Sequence, residues 1–347
     1  ESIKMKKAIS LGLFILATFL VLSTYLVYQQ VFAPIANTDK VVLLPKEANF
    51  NSLTDSLKKH GLLKNEFFFD VFCEQKKFDK IKPGRYLIKA ETNLNSLVNM
   101  LRLGAQKPLN IIFNNAATLE DLAGKLAPQI EADSLELLLA FKSDLFFSTY
   151  SLNEASARKL FIPNTYEVYW TISPTEFLER MQKEYTKFWT DERFLQAKNK
   201  GLTAHQVSVL ASIVQKETAK VDEQPIVAGL YLNRLNKGMK LQSDPTVIYA
   251  LYERDGFDRI IKRVLKKDLK INSKYNTYYY KGLPPNPICI PEMSALLAVL
   301  NAKKHSHIYM CAKEDFSGYH NFTKHWSEHK RNAKRFQKAL SNKGVMR

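Results

Sequence analysis

The chain has 347 residues, 46% of them hydrophobic and 12% aromatic, which suffices for two or three folded domains and excludes a wholly disordered polymer. Its 51 Lys and Arg against 34 Asp and Glu leave a formal charge of +17, a balance that suits nucleic acid, an anionic lipid surface or an acidic polymer. No zinc-finger spacing, RNP-like motif or leucine-zipper pattern accompanies that charge, so no nucleic-acid partner is expected.

Lys4, Lys6 and Lys7 precede a run without charge, Ala8–Val27. That run has about the 20 residues a membrane-spanning helix needs. Tyr25 and Tyr28 stand where an interfacial aromatic belt would lie. The spacing predicts a cytoplasmic tail at 1–7, a single transmembrane helix at 8–30 and the remainder outside the cytoplasm. A cleaved signal peptide fits less well, because the apolar run is long and no A-x-A site follows it.

Residues 33–40 form a polar linker, and a small α+β unit is expected over 40–105. A strand is predicted at 41–45 and a helix at 49–63, with Leu53 and Leu57 four apart and Gly61 at its C-cap. A turn enters a strand at 82–88, and a second helix runs over 93–104. Beyond it come a strand at 109–113, a capped helix from Thr118, helical sequence over 130–155, and a long helix from Pro174 to about Trp189.

Thr203 and Gln206 form a capping-box pair that starts a helix. Val207, Leu210 and Val214 make its apolar row, and Glu217 continues that row. A carboxyl on the apolar side is desolvated, which raises its pKa and suits it to act as a general acid. The alternative is a partly buried Glu paired with a Lys or Arg. A helix follows over 225–236, and another starts at Asp244-Pro245, with Asp244 as N-cap and Pro245 at the first helical position. Residues 255–274 are basic and poorly patterned. Tyr275, Asn276, Thr277 and Tyr278 precede Gly282-Leu-Pro284-Pro-Asn-Pro287, a loop stiffened by three prolines. Tyr faces stack on sugar rings, and Asn and Thr hydrogen-bond hydroxyl and acetamido groups. A helix is expected over 291–301 and a strand over 307–311. His320, His325 and His329 lie near Glu328 without the spacing of a zinc signature, so no metal or other cofactor is expected. Cys73, Cys289 and Cys311 are read as buried thiols, with a Cys289–Cys311 bridge as the alternative.

Three segments in order, LASIVQKETAK (210–220), AGLYLNRLNKGMKLQSDPTVIYAL (228–251) and YNTYYYKGLPPNPI (275–288), resemble the YceG-like family of membrane-anchored endolytic murein transglycosylases. The pattern Lys82-Pro-Gly-Arg-Tyr86 and the segment Phe161–Tyr169 resemble the same family. The resemblance implies an α+β chain: an N-terminal transmembrane helix, a small LysM-like α+β module at 40–105, a connecting α+β region at 106–200, and a C-terminal α+β catalytic domain at 201–347. It implies Glu217, the Glu of the Lys-Glu-Thr triplet, as the catalytic acid; some relatives carry Glu where this chain has Gln215, a departure that leaves Glu217 as the only candidate in the motif. It sets Gln242, Ser243 and Asp244 beside the substrate cleft, with Tyr275, Asn276, Thr277, Tyr278 and Pro284 as further substrate-binding positions. His320 and His329 would shape the cleft rim or the fold.

The resemblance also implies the reaction: cleavage of the MurNAc-GlcNAc bond of nascent peptidoglycan, leaving 1,6-anhydroMurNAc ends. Glu217 would protonate the leaving oxygen and then, as a base, take the proton of the muramyl C6 hydroxyl. The implied partners are glycan strands, membrane lipid and cell-wall elongation synthases, at the inner (cytoplasmic) membrane with the catalytic domain in the periplasm. A two-carboxylate muramidase using Asp244, and a catalytically silent peptidoglycan-binding scaffold, are the alternatives.

Overall fold

The computed structural model describes residues 2–257, 260–261 and 263–343. Asp258, Arg259 and Lys262 of the basic stretch lie outside the described residues. The chain divides into two compact units.

The first unit holds residues 1–111 with 129–131 and 167–172. It begins with helix α1 (Ser2–Phe32). Within α1, Ile9–Phe32 has a mean hydropathy of 2.1 and its apolar window is unburied, so it is long and apolar enough to cross a membrane. Val31 at the end of α1, with Ile35 and Ala36, is buried in the core of the unit. Strand β1 (Lys40–Leu44) pairs antiparallel with β2 (Gly84–Ile88), Lys40 opposite Ile88. Alternation puts Val42, Leu44, Tyr86 and Ile88 inside and leaves Val41 and Leu43 exposed. Between the strands lie α2 (Phe50–Lys59) and α3 (Glu66–Gln75), and α4 (Leu94–Leu103) follows β2. Helix α3 lies in the stretch 64–81, to which the sequence reading assigns no element. Gly104 ends α4 at φ +69°, a left-handed C-cap that glycine adopts without strain.

The second unit holds residues 112–128, 132–166 and 173–347. Strand β3 (Leu109–Phe113) pairs with β4 (Asn164–Val168). The sequence expected over 130–155 is broken into three short helices, α6 (Ser134–Phe141), α7 (Asp144–Thr149) and α8 (Glu154–Ala157), after α5 (Leu119–Leu126). Asp133, Ser143 and Asn153 cap them in turn, so the chain restarts a helix at each. Phe113, Phe141, Phe161 and Phe177 pack their rings together beneath the amphipathic α9 (Pro174–Phe188).

Helix α11 (Ala204–Glu217) is central. The capping box of Thr203 and Gln206 starts it as expected. Every residue from Val207 to Val214 is buried, against α10 (Asp191–Lys198), α12 (Gln224–Asn236), α13 (Asp244–Asp255) and α14 (Met293–Leu300). It is therefore a core helix, buried all round rather than on one stripe, with Ser208 and Ser212 among its buried residues. Strands β5 (Tyr309–Ala312) and β6 (His320–Thr323) form an antiparallel hairpin backed by α15 (Trp326–Asn342). Cys73, Cys289 and Cys311 are free thiols, so the Cys289–Cys311 bridge is not formed.

Candidate active site

Glu217 is the last residue of α11, where Thr218 turns extended and stops the helix. Its carboxyl lines a cleft of about 380 Å³ whose wall includes Tyr231, Arg234, Asp244, Tyr278 and His320. Two hydroxyls donate to one carboxylate oxygen, Oε1: Tyr231 at 2.7 Å from α12, and Ser243 from the start of α13. Among the described residues Oε2 has no hydrogen-bond partner. One oxygen is thus anchored and the other faces the cleft.

Burial raises the Glu217 pKa above the usual carboxylate range, the donors from Ser243 and Tyr231 oppose that rise, and the charge of Asp244 adds to it. The C-terminal position acts the same way as burial, because the partial negative charge at a helix end disfavours an anion. Burial beside this carboxyl also pushes the Tyr231 phenol far up, so it remains a hydrogen-bond donor.

Asp244 does not take its expected part as N-cap of α13. Asp244 is the first helical residue and not the N-cap; Ser243 occupies the cap position, but its hydroxyl goes to Glu217 and caps nothing. Asp244 is exposed and accepts a 2.7 Å bond from the Tyr278 hydroxyl. Gln242 has a φ of +54°, a left-handed conformation that is strained for a side chain with a Cβ. Arg234 holds it there, donating to the carbonyls of Lys240 and Leu241 and to Gln242 Oε1. The same guanidinium donates to Ile308 O, which ties the turn to the entry of β5.

The expected substrate-binding residues separate into three groups. Gln242, Asp244 and Tyr278 line the cleft with Glu217, and Ser243 stands against the carboxyl. Tyr275, Asn276 and Thr277 are buried beneath it. Tyr275 packs on the Tyr249 ring at 4.5 Å. Asn276 donates to Leu269 O and Ile271 O and accepts from Tyr278 N. Thr277 Oγ1 accepts from Ser243 N and meets Thr246 Oγ1. These three position the Ser243 turn and the Tyr278 ring. Pro284 lines a separate hollow of about 520 Å³ with Leu202, His205 and Leu283.

Sequence reasoning left out Tyr231 and Arg234, although both fall within the quoted segment 228–251. A tyrosine buried in a helix needs a partner for its hydroxyl, and that requirement was the available signal. His320 and His329 both line the cleft, and the His329 ring stacks on those of Tyr309 and Trp326 at its edge.

A family model described as YceG-like family matches residues 42–335. A Bacillus subtilis (strain 168) protein named endolytic murein transglycosylase is 25% identical over 315 residues, covering 86% of this chain and 85% of its own. A Streptococcus pneumoniae (strain D39) protein of the same name is 26% identical over 343 residues, 88% of this chain; the chain spans 61% of that relative's length. The crystal structure of a YceG-like protein from Listeria monocytogenes matches with a TM-score of 0.57 at 24% identity, over 85% of this chain and 99% of that one.

Proposed function

From the membership of this chain in the YceG-like family, we propose that it is a membrane-anchored lytic transglycosylase that cuts the MurNAc-GlcNAc bond of nascent peptidoglycan, endolytically, and ends strand elongation. The relatives' name, endolytic murein transglycosylase, supports the substrate and the reaction class. The observation that carries the chemistry is the Glu217 carboxyl, anchored through Oε1 and open at Oε2.

Desolvation favours the protonated form of the Glu217 carboxyl, the form a general acid needs. With Oε1 accepting from Tyr231 and Ser243, the proton sits on Oε2, toward the cleft. Glu217 gives that proton to the oxygen linking the two sugars, the bond from muramyl C1 to that oxygen breaks, and C1 gains oxocarbenium character. The C6 hydroxyl oxygen of the same muramyl residue closes onto C1 and its proton passes to a base of the cleft, so the site ends with the protons it began with. No water is consumed, and one half of the strand ends in a 1,6-anhydro ring. Asp244, exposed and held by Tyr278, tunes the acid and is not a second catalytic group.

The β–α–α–β order of the first unit supports reading residues 40–105 as the LysM-like module, although α3 rather than α4 is then its second helix. The apolar stretch of α1 supports a membrane anchor with the catalytic unit in the periplasm. Protease added to spheroplasts should then digest the second unit; protection beside a digested periplasmic control would reverse the orientation.

The reaction is tested by mass spectrometry of digested, un-crosslinked glycan strands. Anhydro ends, one water lighter than reducing ends, are expected. Reducing ends would make the enzyme a muramidase, and uncut strands that are nevertheless bound would make it a scaffold.

A further inference from the structure

The cleft holds a second proton-handling group that the reaction above leaves unused. Glu223 stands at the N-cap position of α12 and is 3% exposed. It does not cap the helix. Instead its carboxylate grips His320 twice: Oε1 accepts the His320 backbone N–H at 2.7 Å, and Oε2 accepts from ring Nδ1 at 2.7 Å. The two residues are 97 positions apart, and the grip fixes β6 to the start of α12.

A proton on Nδ1 donated to a carboxylate fixes the tautomer of a neutral imidazole and leaves the lone pair on Nε2. Among the described residues Nε2 has no hydrogen-bond partner, and the His320 ring lines the same cleft as Glu217. A buried carboxylate behind the ring also stabilises the imidazolium that forms when Nε2 takes a proton, the arrangement of catalytic histidines in hydrolase triads. Neighbouring Tyr319 has its hydroxyl on Asp222 and its ring under Lys220, so this end of the hairpin is held from both sides.

We propose that His320 is a second catalytic residue, the base that takes the proton of the muramyl C6 hydroxyl, with Glu223 as its positioning residue. This rests on the transglycosylase reading. As the O6–H bond breaks, its electron pair closes the new O6–C1 bond and the proton passes to Nε2. Glu217 has by then given its own proton to the leaving sugar oxygen. The imidazolium proton returns to Glu217 through solvent, so the two groups are reset and the reaction remains free of net proton or water uptake. Glu217 is thereby relieved of acting as acid and base within one turnover.

The test is His320→Asn, whose side-chain N–H stands where Nδ1–H stood but which has no atom at Nε2. The readout is saturation kinetics on un-crosslinked glycan strands, scored by anhydro ends, with thermal melts in parallel. The variant is expected to melt with the unmodified protein, to keep KM within about twofold, and to lose ~10²–10⁴-fold in kcat, the range of a positioned base. Added imidazole should restore part of that loss. Glu223→Gln should lose less. A kcat within about twofold of the unmodified protein, a loss confined to KM, or a loss matched by a lower melting point and untouched by imidazole would each overturn the assignment. If the unmodified protein makes no anhydro ends, the parent reading fails and this one falls with it. Anhydro ends from His320→Asn at the unmodified rate overturn this inference alone.

Discussion

Ser243→Ala separates two roles that one hydroxyl could serve. Ser243 stands at the N-cap of α13, where a capping serine is worth about 0.5–2 kcal/mol. Its hydroxyl donates to Glu217 Oε1 instead. A hydrogen bond to a charged group is worth about 1.5–3 kcal/mol, and one pKa unit corresponds to about 1.4 kcal/mol. Tyr231 still donates to the same oxygen, and the carboxyl is open enough to the cleft for water to replace part of what is lost. The lower end of the range therefore applies, and the Glu217 pKa should rise by about one unit. A general acid works while protonated, so kcat/KM declines as pH rises through its pKa. In Ser243→Ala that declining limb should move up by about one pH unit. The assay is initial-rate release of muramyl ends across the pH range, with melting points beside it. An unmoved limb together with a loss of about 1 kcal/mol in stability would return Ser243 to helix capping and refute the reasoning.

Three further outcomes follow from the same geometry. Asp244→Asn should move the limb the other way, by well under one unit because Asp244 is exposed, and should leave α13 intact, since residue 244 is not its cap; an upward shift would contradict this. Asn276→Ala leaves the Leu269 carbonyl and the Tyr278 N–H without their partner, while Ile271 O keeps its bond from Ser273 N, and should destabilise by about 1–3 kcal/mol in denaturant unfolding; unchanged stability with weakened glycan turnover would make Asn276 a binding residue. Because the Glu217 pKa is raised in the folded chain, the stability tied to its proton is present below the ordinary glutamate value and lost as pH rises through the folded value. The melting-point advantage of Glu217→Gln over the unmodified protein should therefore grow with pH across that window; a constant difference would refute it.

Local signals carried the elements with strong punctuation. The capping box at Thr203, the proline at α9 and the glycine after α4 all mark real boundaries. Helix α3 was illegible because Phe67, Phe68, Phe69, Val71 and Phe72 crowd together without a period. Helix α15 was passed over because its less exposed row of Ala333, Phe336, Ala339 and Leu340 is thin among many Lys, Arg and other polar residues. The row of Val207, Leu210 and Val214 pointed to Glu217, but periodicity understated the burial of a helix that is covered on all sides. The rest of the site is long-range. Tyr231 is 14 residues from Glu217, Ser243 is 26, and His320 is 97 from Glu223. No helical or strand period relates such positions, so only the folded chain brings them together. Asp244 was misplaced by one position for a different reason: Ser243 and Asp244 are both good caps, and the choice between them was decided by the carboxyl across the cleft.

The most direct measurement is the mass spectrum of muramyl ends released by Glu217→Gln. The substitution keeps the shape and both acceptor bonds at the Oε1 position but can neither give nor take a proton. The variant should fold, bind glycan strands and release anhydro ends ~10²–10⁴-fold more slowly than the unmodified protein. Anhydro ends at the unmodified rate would contradict the assignment of Glu217 as the acid.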